Sequence, residues 1–234
     1  MSTVLITGCS SGFGELAALT FADRGHRVFA TMRTPGKSAA LNARTDITQL
    51  ALDVTSSASV DAAVAQVLDA AGGIDIVVNS AFRGDTFQRV EDADMATWHK
   101  IFEVNFFGAM NLSRAAIPHL RARGAGSIVN IASMSARKVR EAEAGYAASK
   151  AALLTATQSM ALELAPDRIR VNAVVPGWIW GPNVQMYVGW QSQSRGITEA
   201  EVIAEITENI PLGEVPPQED RKSTRLNSSH ANIS

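Results

Sequence analysis

Cysteine is almost absent from this sequence. Cys9 stands alone among 234 residues, so no internal disulfide can brace the chain, and a reducing cytoplasm is the expected setting. Long apolar runs are missing too. None approaches the ~20 residues that a helix needs to cross a bilayer, and Met1 to Gly8 hold no basic segment, so neither membrane anchor nor signal peptide is expected. Neither sign of charge dominates. Lys and Arg number 21 against 23 Asp and Glu, a formal net charge of -2, which leaves no basic footprint for nucleic acid. No metal site is expected either.

What the sequence does have is alternation. Short β-branched runs take turns with longer helical patterns, the mark of βαβ units and a parallel sheet. Strands are read at Val4–Ile6, Arg27–Met32, Thr48–Leu52, Ile74–Val78, Ser127–Ile131 and Arg170–Val175. Helices are read at Gly12–Arg24 (ended by Gly25), Ser57–Ala71, Met95–Arg123 with a kink at Pro118, and Tyr146–Leu164. The strands are nearly continuous apolar runs, as a sheet covered on both faces requires. The expectation is an α/β fold, a three-layer doubly wound parallel sheet of Rossmann type, in one domain over residues 1–219. From Trp178 to Gly213 the pattern weakens into a loop-and-helix insertion.

Residues 220–234 differ in kind, polar and without period. DRKSTRLNSSH can be written in codons that reproduce a common sequencing-library adapter read in frame. The expectation is that 220–234 are a non-native disordered tail and that the natural chain runs on differently after Glu219. A natural disordered terminus is the alternative.

A glycine-rich turn, Thr7-Gly8-Cys9-Ser10-Ser11-Gly12-Phe13-Gly14, sits between the first strand and the first helix. Glycine allows the tight turn and the approach of backbone to phosphate, and Gly14 allows helix and strand to pack closely. The helix start offers unpaired N–H groups to a pyrophosphate. Gly8, Ser10, Ser11, Gly12, Phe13 and Gly14 are therefore candidate dinucleotide-binding residues. The end of the second strand carries Arg33 and no acid, which favours the 2′-phosphate of NADP(H) over NAD(H); a solvated surface charge is the alternative. Asp53 and Val54, after the third strand, are placed to meet the adenine, although Asp53 could equally cap the helix that follows.

Tyr146 and Lys150 lie four apart near the start of a helix, so phenol and ammonium share one face. A free tyrosine titrates near ~10. A neighbouring cation is expected to lower that value and fit the phenol for proton exchange with an alcohol or carbonyl. A Tyr–Lys pair on an exposed face is the bland alternative.

With these motifs in order, the sequence resembles the short-chain dehydrogenase/reductase family over about Thr3 to Glu219, in the branch carrying TGxxxGxG and YxxxK. The resemblance implies hydride transfer between a nicotinamide and a carbonyl or secondary alcohol. It implies that Ser133 in NIASMSA holds the substrate oxygen beside Tyr146, with Ser135 a lesser substitute. Asn105 in VNFFG would support a water-mediated proton relay to Lys150, which would also bind the nicotinamide ribose. Asn79, Ala81, Pro176, Gly177 and Ile179 would lie against the cofactor. A homodimer or homotetramer is also implied.

Two departures stand out. The family's NNAG is here Asn79-Ser80-Ala81-Phe82, and the phenylalanine could obstruct the cofactor. A further helix and seventh strand are absent before residue 220, which is expected to uncover Val171, Ala173 and Val175. The large apolar residues between Trp178 and Trp190 suggest an apolar substrate, with packing and an oligomer contact as alternatives. A dinucleotide-binding sensor without turnover and an inactive truncated product are the rival readings.

Overall fold

The computed structural model describes residues 1–217, so the tail read over 220–234 and its junction at Glu219 lie outside the described residues. Among the described residues six strands form one sheet: β1 (Thr3–Ile6), β2 (Arg27–Met32), β3 (Ile47–Ala51), β4 (Ile76–Asn79), β5 (Gly126–Ile131) and β6 (Ile169–Val174). Their order is β3-β2-β1-β4-β5-β6, and every pairing is parallel. The chain winds outward in both directions from β1, so the crevice between β1 and β4 at their carboxyl ends is the topological switch point where α/β sheets bind ligands.

The helices are α1 (Gly12–Asp23), the single turn α2 (Ala39–Asn42), α3 (Ser57–Ala71), α4 (Met95–Phe102), α5 (Gly108–Ala122), α6 (Ala144–Leu164), α7 (Pro182–Arg195) and α8 (Glu199–Glu208). Local chemistry sets their ends. Ser56 caps α3 by accepting from the Ser59 amide, and Gly72, at φ 72°, closes it in the left-handed region. Thr198 and Glu201 form a reciprocal capping box at the start of α8.

Both faces of the sheet are covered. Leu5, Phe29, Val77 and Ile128 face Val64 and Val67 of α3 and Leu112 and Leu120 of α5. Val4, Ile6, Val28, Ala30 and Val78 face Ala18 of α1 and Leu41 of α2. Successive β1 residues thus enter opposite cores, which is why the strand reads as an unbroken apolar run. Truncating a fully buried side chain such as Leu5 would cost about 2–5 kcal/mol.

The long helix expected over Met95–Arg123 is divided. A π-helical turn, Glu103–Phe107, separates α4 from α5, while α5 continues through Pro118. The irregularity therefore falls at Asn105, whose side chain is held by Arg83 and Ser149 outside the helix, and not where proline removes one donor. The insertion after Trp178 resolves into α7 and α8, which pack through Val188, Val202 and Ile206 against Trp178, Trp180 and Tyr187.

β6 is an edge strand that pairs with β5 alone among the described residues, but the expectation that its apolar side chains stand uncovered needs correction. Val171 is buried in the main core with Leu164 and Ile169, because α6 runs along that face. Ala173 and Val175 are half-buried, and Val174 is the β6 apolar side chain that stands exposed. Beyond the strand, Trp180 donates its amide to the Pro216 carbonyl at 2.7 Å.

Candidate active site

The first wall of the site is the turn between β1 and α1. Gly8 has φ 72°, and a Cβ there would lie 2.6 Å from the Ser80 carbonyl and 2.8 Å from Ala81. Gly14 could carry no side chain either, because a Cβ would strike the Gly8 carbonyl. Gly12 is different. Its φ is 64°, and a Cβ would meet nothing within 4 Å, so its backbone faces open space. Ser11 precedes α1 without a side-chain cap, leaving the first-turn amides uncommitted. Thr7 joins this wall to its neighbour: its Oγ1 accepts from the amides of Ser80 at 3.0 Å and Ala81 at 3.2 Å. Cys9, buried inside the turn, has its thiol pushed up to about 12 by desolvation and is chemically quiet.

These elements open onto a cavity of about 530 Å³ that runs from Gly8, Ser10, Ser11, Gly12 and Phe13 past Ser133, Tyr146 and Lys150 to Pro176, Gly177 and Ile179. At its far end stand Phe82, Phe87, Arg140, Glu143, Trp178 and Tyr187. A cleft at a helix N-terminus, continuous with a chamber walled by aromatic side chains, fits a dinucleotide and a second small molecule.

The polar centre comes from three segments. Ser133 follows β5, and its Oγ accepts from the Ser135 amide at 3.1 Å and shares a hydrogen bond with the Tyr146 hydroxyl. Lys150 is 3% exposed, and its Nζ donates to the Ile131 carbonyl at 2.7 Å. Burial alone lowers its pKa to about 8. The phenol departs from expectation. Tyr146 is raised above its ordinary value, first by desolvation and then by the Glu143 charge, against the hydrogen bond from Ser133. Lys150 does not counter this, because its ammonium sits 6.0 Å from the tyrosine ring centroid and turns to a carbonyl.

Asn105 lies in the π-helical turn, 1% exposed. Its Oδ1 accepts from the Arg83 amide at 2.8 Å, and its Nδ2 donates to the Arg83 carbonyl at 2.9 Å and Ser149 Oγ at 3.1 Å. Ser149 in turn donates to the Tyr146 carbonyl at 2.7 Å. Asn105 therefore grips the Tyr146 helix turn and the segment after β4, while sharing a narrow void with Lys150.

Several residues singled out in the sequence stand away from the cavity wall. Gly14 is consumed by packing against Gly8. Arg33 is exposed at the end of β2, close enough to Asp53 to help lower that carboxyl, whose main partners are the Thr55 amide and hydroxyl. Ser56 caps α3, so Asp53 does not. Val54 is buried, and its Cγ2 would lie 2.6 Å from a Cβ at Gly108. Asn79 points into the protein, where Nδ2 donates to Ser113 Oγ at 3.0 Å and Asn130 Oδ1 at 2.8 Å. Ser80 and Phe82, rather than Asn79 and Ala81, reach the cavity.

Phe82 does not disturb the approach of the Ser80–Ala81 backbone to Gly8. Its ring turns to the other end of the site, 44% exposed and edge-on to Tyr146 with centroids 5.5 Å apart. Composition and spacing gave no sign of Arg140 and Glu143. Arg140 stacks 4.1 Å from the Trp178 ring centroid, and its Nε and Nη2 donate to Glu143 Oε2 at 2.9 and 2.5 Å. Asp85 was equally hidden: its Oδ2 accepts from the Tyr146 amide at 2.9 Å, at the start of α6.

A doubly wound sheet, a glycine turn at its switch point and a Ser–Tyr–Lys cluster beside it define a nicotinamide-dependent oxidoreductase that transfers hydride. The chain belongs to the short chain dehydrogenase family, whose sequence profile matches residues 2–191. It is 32% identical over 212 residues to the D-beta-hydroxybutyrate dehydrogenase of Rhizobium meliloti, spanning 87% of this chain and 81% of that protein. Among solved structures it is similar to a variant of the actinorhodin polyketide ketoreductase with NADPH, at TM-score 0.86 and 28% identity, over 97% of this chain and 89% of that one. It is also similar to the 3-ketoacyl-(acyl-carrier-protein) reductase of Brucella melitensis complexed with NADH, at TM-score 0.83 and 28% identity, over 100% and 93% of the two chains. Among the described residues no helix is long and apolar enough to cross a membrane, and no His, Cys, Asp and Glu cluster could hold a metal ion.

Proposed function

We propose that the chain interconverts a largely apolar carbonyl compound and its secondary alcohol with NADP(H), using Tyr146 as the proton donor and acceptor, Ser133 to hold the substrate oxygen and Lys150 to hold the cofactor ribose. The observation that carries this reading is the convergence of Ser133, Tyr146 and Lys150 on the cavity that begins at the α1 N-terminus. When bound, the nicotinamide gives or takes the hydride. The protein supplies the rest. The Ser133 hydroxyl donates to the carbonyl oxygen as charge develops there, a contribution of about 3 kcal/mol for one such donor. The raised pKa of Tyr146 keeps its proton available for delivery to that oxygen. Lys150, buried and anchored on Ile131, holds a cation just behind the pair.

Gly8, Ser10, Ser11, Gly12 and Phe13 would meet the pyrophosphate, with Pro176, Gly177 and Ile179 beside the nicotinamide. Asp53 and Val54 would face the adenine, and Asn79 and Ala81 would act through the packing of the adjoining loop. Asn105 would steady the Tyr146 turn through Ser149. The choice of NADP(H) rests on Arg33, exposed at the end of β2 where no acid stands. The same reading takes residues 1–219 as one catalytic domain of a cytoplasmic homodimer or homotetramer, which light scattering on the purified protein would check. Titration with NADPH and then NADH, followed by nicotinamide fluorescence and a screen of apolar ketones, tests the whole. Binding of neither dinucleotide by soluble protein would overturn it.

A further inference from the structure

The far end of the cavity is not purely apolar, and its polar groups are not balanced. Its acidic side chains are committed. Asp85 accepts the Thr86 amide on Oδ1 and the Tyr146 amide on Oδ2. Both oxygens of Glu205 accept from Arg195, at 2.6 Å each. Glu143, with its side chain 8% exposed, accepts from Arg140 and is 3.5 Å from the Ser135 hydroxyl. The cations are less fully used. Arg140 spends Nε and Nη2 on Glu143 and Ser135, and its Nη1 has no hydrogen-bond partner among the described residues. Lys138 has one long contact, 3.4 Å to Asn209 Oδ1. Among the charged side chains of this wall, the spare hydrogen-bonding capacity therefore lies with the donors of Arg140 and Lys138.

Arg140 is also held rigidly. Its guanidinium lies over Trp178 at 4.1 Å and Tyr187 at 5.3 Å from the ring centroids. Glu143 fixes one edge of the plane, and Ser135, 1% exposed, receives Nη2 at 2.9 Å. Between the partners, Ala142 is buried at φ 61°, a conformation that an L residue rarely takes. A planar cation clamped on three sides, with one donor edge left over in a cavity, is arranged to receive a carboxylate, for which arginine's fork geometry is suited.

We infer that the substrate is an oxo acid or hydroxy acid whose apolar body lies along Phe82, Trp178 and Tyr187 and whose carboxylate is received by Arg140. This rests on the proposed carbonyl–alcohol chemistry and adds specificity to it. Arg140 is near enough to Tyr146 to influence its titration, which places the anion subsite and the reacting oxygen in one chamber. An ester of the same acid would lack the charge and offer Nη1 only a neutral carbonyl acceptor.

The test compares a series of oxo acids, differing in the spacing of carbonyl and carboxylate, with their methyl esters. For the best-fitting acid, kcat/KM should exceed that of its ester by about 10- to 150-fold, the range expected of one charge-assisted hydrogen bond. In the double variant Arg140→Met, Glu143→Gln, which removes the pair without stranding a buried charge, the preference should vanish, with the loss in KM more than in kcat. Dinucleotide binding by the variant verifies its fold. Esters turned over as well as every acid would overturn the carboxylate site and leave the hydride-transfer reading intact. A second readout is independent of turnover: calorimetric titration of the dinucleotide-loaded protein with a saturated carboxylic acid and its amide. The acid should bind at least about tenfold more tightly, and equal affinity would overturn the inference even if no substrate were found.

Discussion

Lys150 Nζ donates to the Ile131 carbonyl at 2.7 Å, so the ammonium is tethered to the end of β5 and not to the phenol one helical turn away. The tether satisfies one of three donors in a side chain that is 3% exposed, and its charge is correspondingly costly. With a folded pKa lowered from 10.5 to about 8, the buried ammonium opposes folding by about 3 kcal/mol at pH 7.

Lys150→Met should therefore abolish turnover and stabilise the dinucleotide-free protein at pH 7, by about 1–3 kcal/mol once the lost hydrogen bond is set against the relief. The pH dependence follows from the sign of the shift. A lysine whose folded pKa is depressed penalises the folded state below about 8, and the penalty disappears as pH rises toward the unfolded value. The advantage of methionine should be full near pH 7 and shrink as pH approaches 10.5. Urea unfolding of both proteins across that range checks this, and a constant difference would show that Lys150 carries no such penalty.

How much of this was legible in the sequence depends on how local the cause is. Arg27–Met32 and Ser57–Ala71 match the structure to the residue, because a β-branched run and a helix bounded by Ser56 and Gly72 carry their own boundaries. The glycine turn was legible for the same reason. The π-helical turn at Asn105 was not, since Met95 to Ala122 keeps a helical pattern on either side of it. Nor was the direction of Asn79, which depends on Ser113 and Asn130, residues 34 and 51 positions away. The Arg140–Trp178 stack joins two loops with no periodicity of their own, and the sequence offers nothing that would pair them. The rise in the Tyr146 pKa escaped likewise, because spacing gives the neighbour's charge but not the direction its side chain takes.

Tyr146→Phe and Ser133→Ala separate proton transfer from oxygen binding. The first keeps the ring against Phe82 and deletes only the hydroxyl, so kcat should fall by about 10²–10⁴-fold while NADPH fluorescence still reports binding. The second removes one donor to the developing oxyanion and should lower kcat by about 10²–10³-fold, with the dinucleotide affinity unchanged. Retained turnover in Tyr146→Phe would remove Tyr146 from its assigned role.

Gly12 and Gly14 should fail in different ways when replaced by alanine. At Gly14 the new Cβ would collide with the Gly8 carbonyl, so the turn must move and stability should drop by about 2 kcal/mol or more. At Gly12 the space is open but φ is 64°, and the left-handed conformation costs an alanine about 1–2 kcal/mol. Gly12→Ala should thus remain folded and lose dinucleotide affinity, whereas Gly14→Ala should lose melting temperature first. Thermal unfolding with and without NADPH distinguishes the two.

The proposed preference for NADP(H) rests on Arg33. Its side chain is exposed, and Asp53, whose charge it influences, is already engaged by Thr55, so the guanidinium can turn to a 2′-phosphate without breaking a buried pair. One charge-assisted contact of about 1.5–3 kcal/mol corresponds to about 10- to 150-fold in affinity. Arg33→Ala should raise the Kd for NADPH by that factor and leave NADH within about twofold, because NADH carries no 2′-phosphate to lose. Arg33→Asp should go further and reverse the preference, the carboxylate repelling the phosphate and accepting from the ribose hydroxyls. Equal weakening of both dinucleotides would mean that Arg33 holds the loop after β2 and does not read the phosphate.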